Sequence, residues 1–358
     1  MFTKKSLFVL LVAVMVMTAC APKAEATPAP AVSEPPAPQI VNTPTEVQPT
    51  PTQVAPAPTS IAAGADFPAP NFTLDQGRIL FTIIWKSRNL PAFIDKEGLH
   101  LIPSADDFTF SHPVWASADA IMFDSARAGN RHIFKSDLDG TVTQITSGDT
   151  FEGNVSVSPD GATIVYENWN ASDQDLGLHI ANADGSNPQN LTPAADPGAS
   201  GGDLLPVFSP DGQWIAFERI ANFDTGESGI FIIRPDGTEL TRLTPDTLRG
   251  GYPRWSQDGT KILFSVKYPP LDTETPSGPL WVVSIAGGEP TPLQGTIQAE
   301  GDWAYEADWS PDGTKIIYKY LPAGGRVDIL YMANFDGTNA VALWSAGGTG
   351  IDTPDWGK

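Results

Sequence analysis

The sequence predicts an all-β fold, a six-bladed β-propeller of four-stranded blades, and three observations carry that prediction. The tripeptide Ile-x-Phe/Tyr recurs six times, as Ile79-Leu80-Phe81, Ile121-Met122-Phe123, Ile164-Val165-Tyr166, Ile215-Ala216-Phe217, Ile262-Leu263-Phe264 and Ile316-Ile317-Tyr318. The copies stand about 40 to 55 residues apart, the period of a propeller blade. Turn sequences flank them at fixed offsets, and the last residues of the chain repeat the opening of a unit that the first copy lacks.

Before five of the triplets stands an apolar residue followed, in four, by a tight turn: Trp115-Ala116, Val157-Ser158-Pro159-Asp160-Gly161, Phe208-Ser209-Pro210-Asp211-Gly212, Trp255-Ser256-Gln257-Asp258-Gly259 and Trp309-Ser310-Pro311-Asp312-Gly313. Pro presets φ, Asp bonds its own backbone and Gly accepts positive φ, so these stretches join antiparallel strands. After each triplet come another apolar run and a second turn, at Glu97-Gly98, Asp139-Gly140, Asp184-Gly185, Asp236-Gly237, Gly287-Gly288 and Asp336-Gly337. Several copies then close on Ile145-Thr146, Leu191-Thr192 or Leu243-Thr244. Each unit reads strand, turn, strand, loop, strand, turn, strand. The middle residue of every triplet is apolar as well, so these strands are expected to be buried on both faces where blades stack, with the repeated Trp and Phe in the core.

The first unit begins at Gly77 without a first strand, and Thr353-Pro354-Asp355-Trp356-Gly357 supplies one, matching Pro253-Arg254-Trp255-Ser256. The C-terminal strand is therefore expected to lie innermost in blade one, closing the ring and leaving no long unpaired edge. A content of 33 Gly and 34 Pro suits a chain of hairpins, and no long helical periodicity competes with this reading.

Pro-x-Trp-Ser-Pro-Asp-Gly-x-x-Ile-x-Phe, an apolar run ending in Asp-Gly and a closing Leu-Thr together resemble the WD40-like β-propeller (PD40) repeat of TolB and its relatives, over residues 72 to 358. Copy two departs at Trp115-Ala116-Ser117-Ala118-Asp119, and copy five has Gln257 and Gly287 where Pro and Asp are usual. Those departures alter turn chemistry rather than the number of blades. The resemblance implies a propeller that binds partner proteins of the cell envelope; the family's N-terminal α/β domain has no counterpart before residue 66.

Residues 1–20 read as an export signal: Lys4-Lys5, an apolar run from Leu7 to Met17 that is too short to span a bilayer, then Thr18-Ala19-Cys20. Cys20 is the single cysteine, so it has no disulfide partner within the chain. Its setting resembles the lipobox of bacterial lipoproteins, which implies lipidation at Cys20; ordinary signal cleavage after Ala21 is the alternative. Residues 21–65 are rich in Pro, Ala and Thr and hold too little apolar surface for a core. They are expected to be a disordered tether, reaching at most about 140 Å in polyproline II conformation. Residues 66–358 are expected to form the propeller.

Charge narrows the partners. The formal net charge is −21, and the signal and tether contributions cancel, so the propeller carries it. A field of that sign repels phosphates, which argues against nucleic acid and against close contact with anionic headgroups, leaving a membrane connection through the lipid anchor only.

Catalytic signals are few. Gly198-Ala199-Ser200-Gly201-Gly202 matches Gly-x-Ser-x-Gly, but that motif works on a strand-to-helix turn and no helical pattern follows it. A pectate-fragment lyase with a TolB-like fold uses histidines and a metal. Of the four histidines here, His132 and His179 fall on third strands, His100 on a fourth, and only His112 on a blade-entry loop, so convergence on a metal is not expected. Calcium bound by loop carboxylates, for example among Asp302, Glu306 and Asp308, would need more oxygens than spacing can establish.

Binding is the favoured reading. Loops that enter first strands and loops that join second to third strands share one face of a propeller, around the channel mouth, and aromatics mixed with charge at loop tips suit recognition. Tyr252, Arg254, Trp303, Tyr305, Glu306 and His112 are the candidate ligand-binding residues, with Trp169 and Tyr268 on outer loops as alternatives. The expected protein is a monomeric, non-catalytic, lipid-anchored module on the extracytoplasmic side of the cell envelope, periplasmic or at the cell surface. It binds an envelope protein, a peptide or a glycan, and needs no cofactor and no metal. A metal-dependent carbohydrate-active propeller enzyme is the alternative.

Overall fold

The computed structural model describes Phe72 and residues 74–85, 88–103, 110–170, 175–192, 201–223, 226–266, 278–345 and 351–357. Cys20, the export signal, the Pro-rich stretch, Ser200 and Tyr268 lie outside the described residues. Six antiparallel sheets of four strands are arranged as blades. Blade one consists, from the inside outward, of Ile351–Gly357, Arg78–Trp85, Arg88–Asp95 and Gly98–Leu101. The inner strands of blades two to six are Ser111–Ser117, Phe151–Val157, Gly202–Phe208, Gly250–Trp255 and Trp303–Trp309. Their second strands are Ala120–Ala128, Thr163–Asn170, Ile215–Asn222, Lys261–Val266 and Lys315–Leu321.

The C-terminal strand closes the ring as the sequence predicts. Ile79 pairs with Trp356 and Ile83 with Ile351 across an antiparallel ladder. Ile79 and Phe81 then share a core cluster with Trp356, with Ile317 and Leu330 of blade six, and with Trp344. The triplets are buried to completion: Ile79, Phe81, Ile121, Phe123, Ile215, Phe217, Ile262, Ile316 and Tyr318 have no more than a trace of exposed surface.

The turn signatures each have a bonding reason. Ser158, Ser209, Ser256 and Ser310 donate their hydroxyls to the Asp two residues on at 2.6 Å. The same hydroxyls accept the N–H five residues on, at 2.9 to 3.0 Å. One Ser and one Asp thereby fix the first hairpin of blades three to six. At the outer edge, Thr146, Thr192, Thr244 and Thr296 accept the N–H of Ile133, Leu178, Ile230 and Leu280 at 2.9 to 3.0 Å. The closing Thr therefore fastens the last turn of a blade to its third strand.

Candidate binding channel

Each inner strand is broken at the same place. His112, Asn154, Leu205, Tyr252, Glu306 and Thr353 all have positive φ, between 35° and 56°. The pairing register slips beside each of them. These are β-bulges, one per blade, and they kink the inner strands around the axis. Proline follows His112, Leu205, Tyr252 and Thr353, a residue without an N–H being at home in a bulge.

Two tiers of hydrogen bonds run from blade to blade at this level. In the upper tier, the residue after three of the Ile-x-Phe/Tyr triplets reaches the next bulge: Asp124 Oδ1 accepts Asn154 N–H at 3.2 Å, Glu167 Oε1 accepts Leu205 N–H at 2.6 Å, and Ser265 Oγ accepts Glu306 N–H at 3.1 Å. At the closing seam Glu306 Oε2 accepts Thr353 N–H at 3.1 Å. In the lower tier, an inner-strand side chain accepts the N–H of the next blade's aromatic. Ser156 takes Phe208 (3.1 Å), Asp308 takes Trp356 (2.7 Å) and Asp355 takes Trp115 (2.8 Å). The indoles of Trp255 and Trp309 return bonds to the carbonyls of Val207 and Arg254.

Below the bulges lies a cavity of about 500 Å³. Its walls carry His112, Asn154, Leu205, Tyr252 and Thr353 at the bulge level, then Val114, Ser156, Val207, Arg254, Asp308 and Asp355. Ser117, Ser158, Ser209 and Gln257 of the first hairpins line it further down. The cavity thus runs from the bulges toward the hairpin face, the side opposite the loops that enter the blades.

The six candidate residues all stand on inner strands rather than on entry loops. His112 departs from the expected loop because Ser111 already pairs with Asp124, so the strand starts before the bulge. His112, Tyr252 and Arg254 come together in the cavity wall; Trp303, Tyr305 and Glu306 do not. Those three gather above it around Lys319, which is 6% exposed. Trp303 and Tyr305 stack at 3.7 Å, the Tyr305 hydroxyl bonds Asp328, and Lys319 Nζ lies 3.0 Å from Glu306 and 4.6 Å from the Tyr305 ring centroid. Of the outer-loop alternatives, Trp169 is exposed and packs against Phe151 at 5.1 Å. Gly250, beside Tyr252, faces the core: a Cβ there would meet the Phe264 ring at 3.0 Å.

The channel is electrostatically organised. Burial works to lower the pKa of His112, but its 2.9 Å contact to Asp124 prevails, and Asp352 and Glu167 add to it, raising the imidazole to about 9. Burial also raises the Tyr252 phenol well above its ordinary value, helped by the carboxylates of Glu306, Glu218, Asp352 and Glu167. Burial opposes the charge on Lys319, yet Glu306, Asp328 and Asp352 hold it protonated. Asp308 is pushed up to about 7, first by burial and then by the charge of Asp355, against the opposing pull of Arg254.

Sequence reasoning missed the inward-facing polar ring, although a signal for it was present. Thr82, Asp124, Glu167, Glu218, Ser265 and Lys319 each follow a triplet directly, a polar residue in phase in all six copies.

Among the described residues, no group of three His, Cys, Asp or Glu side chains is placed to hold a metal ion. His100 contacts Asp95, His112 contacts Asp124, and His132 contacts Glu152, each in a different place. Asp302, Glu306 and Asp308 are likewise engaged separately. Asp302 accepts the N–H groups of Gln298, Ala299 and Ala323 and the Tyr320 hydroxyl, Glu306 holds Lys319, and Asp308 holds the backbone of Trp309 and Trp356.

Comparison with solved structures agrees with this architecture. TolB of Acinetobacter baumannii superposes with a TM-score of 0.62 at 20% identity, covering 78% of this chain and 66% of that one. A putative TolB from Agrobacterium tumefaciens gives 0.58 at 17% identity, covering 75% and 90%. The fold is a TolB-like six-bladed β-propeller. An oligogalacturonate lyase in complex with manganese shares it more distantly, with a TM-score of 0.51, 16% identity and coverage of 76% and 75%. Among curated proteins, an uncharacterised protein of Agrobacterium fabrum is 28% identical over 172 residues, 46% of this chain and 54% of the relative. A TolB homologue of Chlorobium luteolum is 27% identical over 147 residues, 40% of this chain and 30% of that protein. The matches thus span about half or less of these relatives' lengths. No protein-family model matches the chain.

Proposed function

We propose that the chain is a lipid-anchored, extracytoplasmic binding module that receives part of an envelope protein, peptide or glycan in its central channel, without catalysis. The observation that carries this reading is the cavity of about 500 Å³ walled by the inner strands, a volume within the range of ligand sites. His112, Tyr252 and Arg254 contact the ligand, while Trp303, Tyr305 and Glu306 brace the wall from above. The TolB-like fold supports a place in the envelope, Cys20 supplies the anchor, and residues 21–65 hold the propeller away from the membrane. The acidic surface disfavours nucleic acid, and a closed ring whose outer edge strands are only two to four residues long suits a monomer. The lyase alternative calls for histidines that share a metal, whereas His100, His112 and His132 each meet a different carboxylate.

The test is site-specific photocrosslinking in cells. A photoreactive side chain at Ser156 or Val207, inside the cavity, is expected to give discrete adducts that the same probe at exposed Phe335 does not. Adducts from Phe335 alone would place recognition on the outer surface and end the channel reading.

A further inference from the structure

The cavity is divided by charge. At the level below the bulges, blades two, three and four contribute Val114, Ser156 and Val207, and blades five, six and one contribute Arg254, Asp308 and Asp355. The two carboxyls are already in use. Asp308 accepts the N–H groups of Trp309 and Trp356, Asp355 accepts that of Trp115, and the two carboxyls bond each other. Like carboxyls in contact in a dry seam keep a proton between them, so the pair counts as about one negative charge.

The guanidinium groups are not spent in the same way. Arg254 donates from Nη1 to the Pro253 carbonyl at 3.1 Å, and no carboxylate among the described residues lies within ion-pairing distance of it. Arg78 lies over the Trp115 ring, 4.1 Å from its centroid, also without a carboxylate partner among the described residues. The third cation in the wall, His112, is matched by Asp124. Thr353 adds a hydroxyl with no partner among the described residues and is only 6% exposed. Arg254 feels Asp308 and Asp355 without pairing directly with either, and those carboxyls are bonded to backbone N–H groups and to each other, so in a chain of net charge −21 two arginines that no described carboxylate grips directly suit an anionic ligand.

Resting on the channel-binding reading, we propose that the ligand is the free carboxyl end of a peptide whose last side chain is apolar. Arg254, in a wall that Arg78 also lines, receives the carboxylate, and Val114, Leu205 and Val207 receive the side chain. A guanidinium fork matches a carboxylate bidentately. Val114 and Val207, on either side of Ser156, favour an apolar peptide side chain over a uronic-acid glycan at that level, because sugar hydroxyls buried against the two valines would lose water without gaining partners. The volume suits two or three residues of a chain end rather than a folded domain.

Indole fluorescence of the full chain can test this, since Trp115, Trp255 and Trp356 line the cavity. The probes are acetyl-Gly-Ser-Ala-Leu as the free acid, the same peptide as its C-terminal amide, and trigalacturonate. The free acid is expected to give a saturable change and to bind about tenfold or more tightly than the amide. Arg254→Gln should erase that preference and Arg254→Lys restore part of it, with thermal melting of both variants near the parent's. Equal binding of acid and amide, no binding of either, or binding of trigalacturonate alone would overturn the proposal. Crosslinks from Val207 that persist beside such a result would leave the channel-binding reading standing and remove only the peptide carboxylate from it. Loss of the crosslinks as well would take both down.

Discussion

Asp308 and Asp355 occupy the same position in neighbouring blades, each just before a Trp, and their meeting makes one seam of the ring sensitive to pH. Asp308 is raised to about 7 by burial and by Asp355, above an unfolded value near 4. The folded state therefore holds an extra proton between about pH 4 and about pH 7, and this pair's contribution to stability falls as pH rises through that window and is level above it. His112 has the same sign at higher pH: its stabilisation is whole below about 6.5 and fades as pH rises toward about 9. Asparagine cannot ionise but keeps an oxygen for Trp356 N–H. Asp308→Asn should therefore shrink the drop in melting temperature between about pH 5 and about pH 8 by several degrees, with His112 acting equally in both proteins. An unchanged drop would mean that the pair shares no proton. The residue types of this site stood in the sequence, but their partners did not. Tyr305 and Glu306 read as free recognition groups until Asp328 and Lys319 are brought against them by folding.

Elements were legible wherever their bonds are local. Ser-Pro-Asp-Gly and Leu-Thr each close contacts within one hairpin or one blade, so the strand count and its period follow from short stretches of chain. The bulges were illegible because their stabilising bonds cross to another blade. Asn154 meets Asp124 and Leu205 meets Glu167, 30 and 38 residues away, and proline after a bulge conceals that a strand continues through it. Local closure also has a measurable worth. Thr244 is 2% exposed and accepts Ile230 N–H at 2.9 Å. Thr244→Val preserves the shape, removes the acceptor and should cost about 1 to 3 kcal/mol in urea unfolding. A loss below a few tenths would mean that Ile230 N–H finds water or another carbonyl. The hairpin Asp residues act in the acid range. Side-chain bonds from Ser209 and Ser256, followed by backbone N–H groups, hold Asp211 and Asp258 below the usual carboxylate value. Their stabilisation is present above about pH 4 and is lost as pH falls through the depressed values, so melting temperature should decline on acidification below about pH 4.

At the scale of the whole molecule, anchor and ring make separate demands. Cys20→Ala should release the protein from membranes and abolish lipid labelling without changing its melting, and equal membrane retention would refute the anchor. The ring depends on its last strand. Ile351–Gly357 pairs with Arg78–Ile83, gives Thr353 N–H to Glu306 and Trp356 N–H to Asp308, and offers Asp355 to Trp115, 240 residues earlier in the chain. Three blades converge on seven residues. Trp356 is 6% exposed and packs with Ile79, Phe81 and Ile317, so emptying its place costs on the order of 3 to 5 kcal/mol. Removing residues 351–358 also strips a partner from the buried carboxyl of Asp308 and leaves Arg78–Trp85 as an open edge. The truncated chain should melt well below the parent and aggregate, whereas Trp356→Ala alone should stay soluble with a smaller drop. If both melt like the parent, the ring does not depend on this strand, and the seam between blades six and one is held by the outer strands instead.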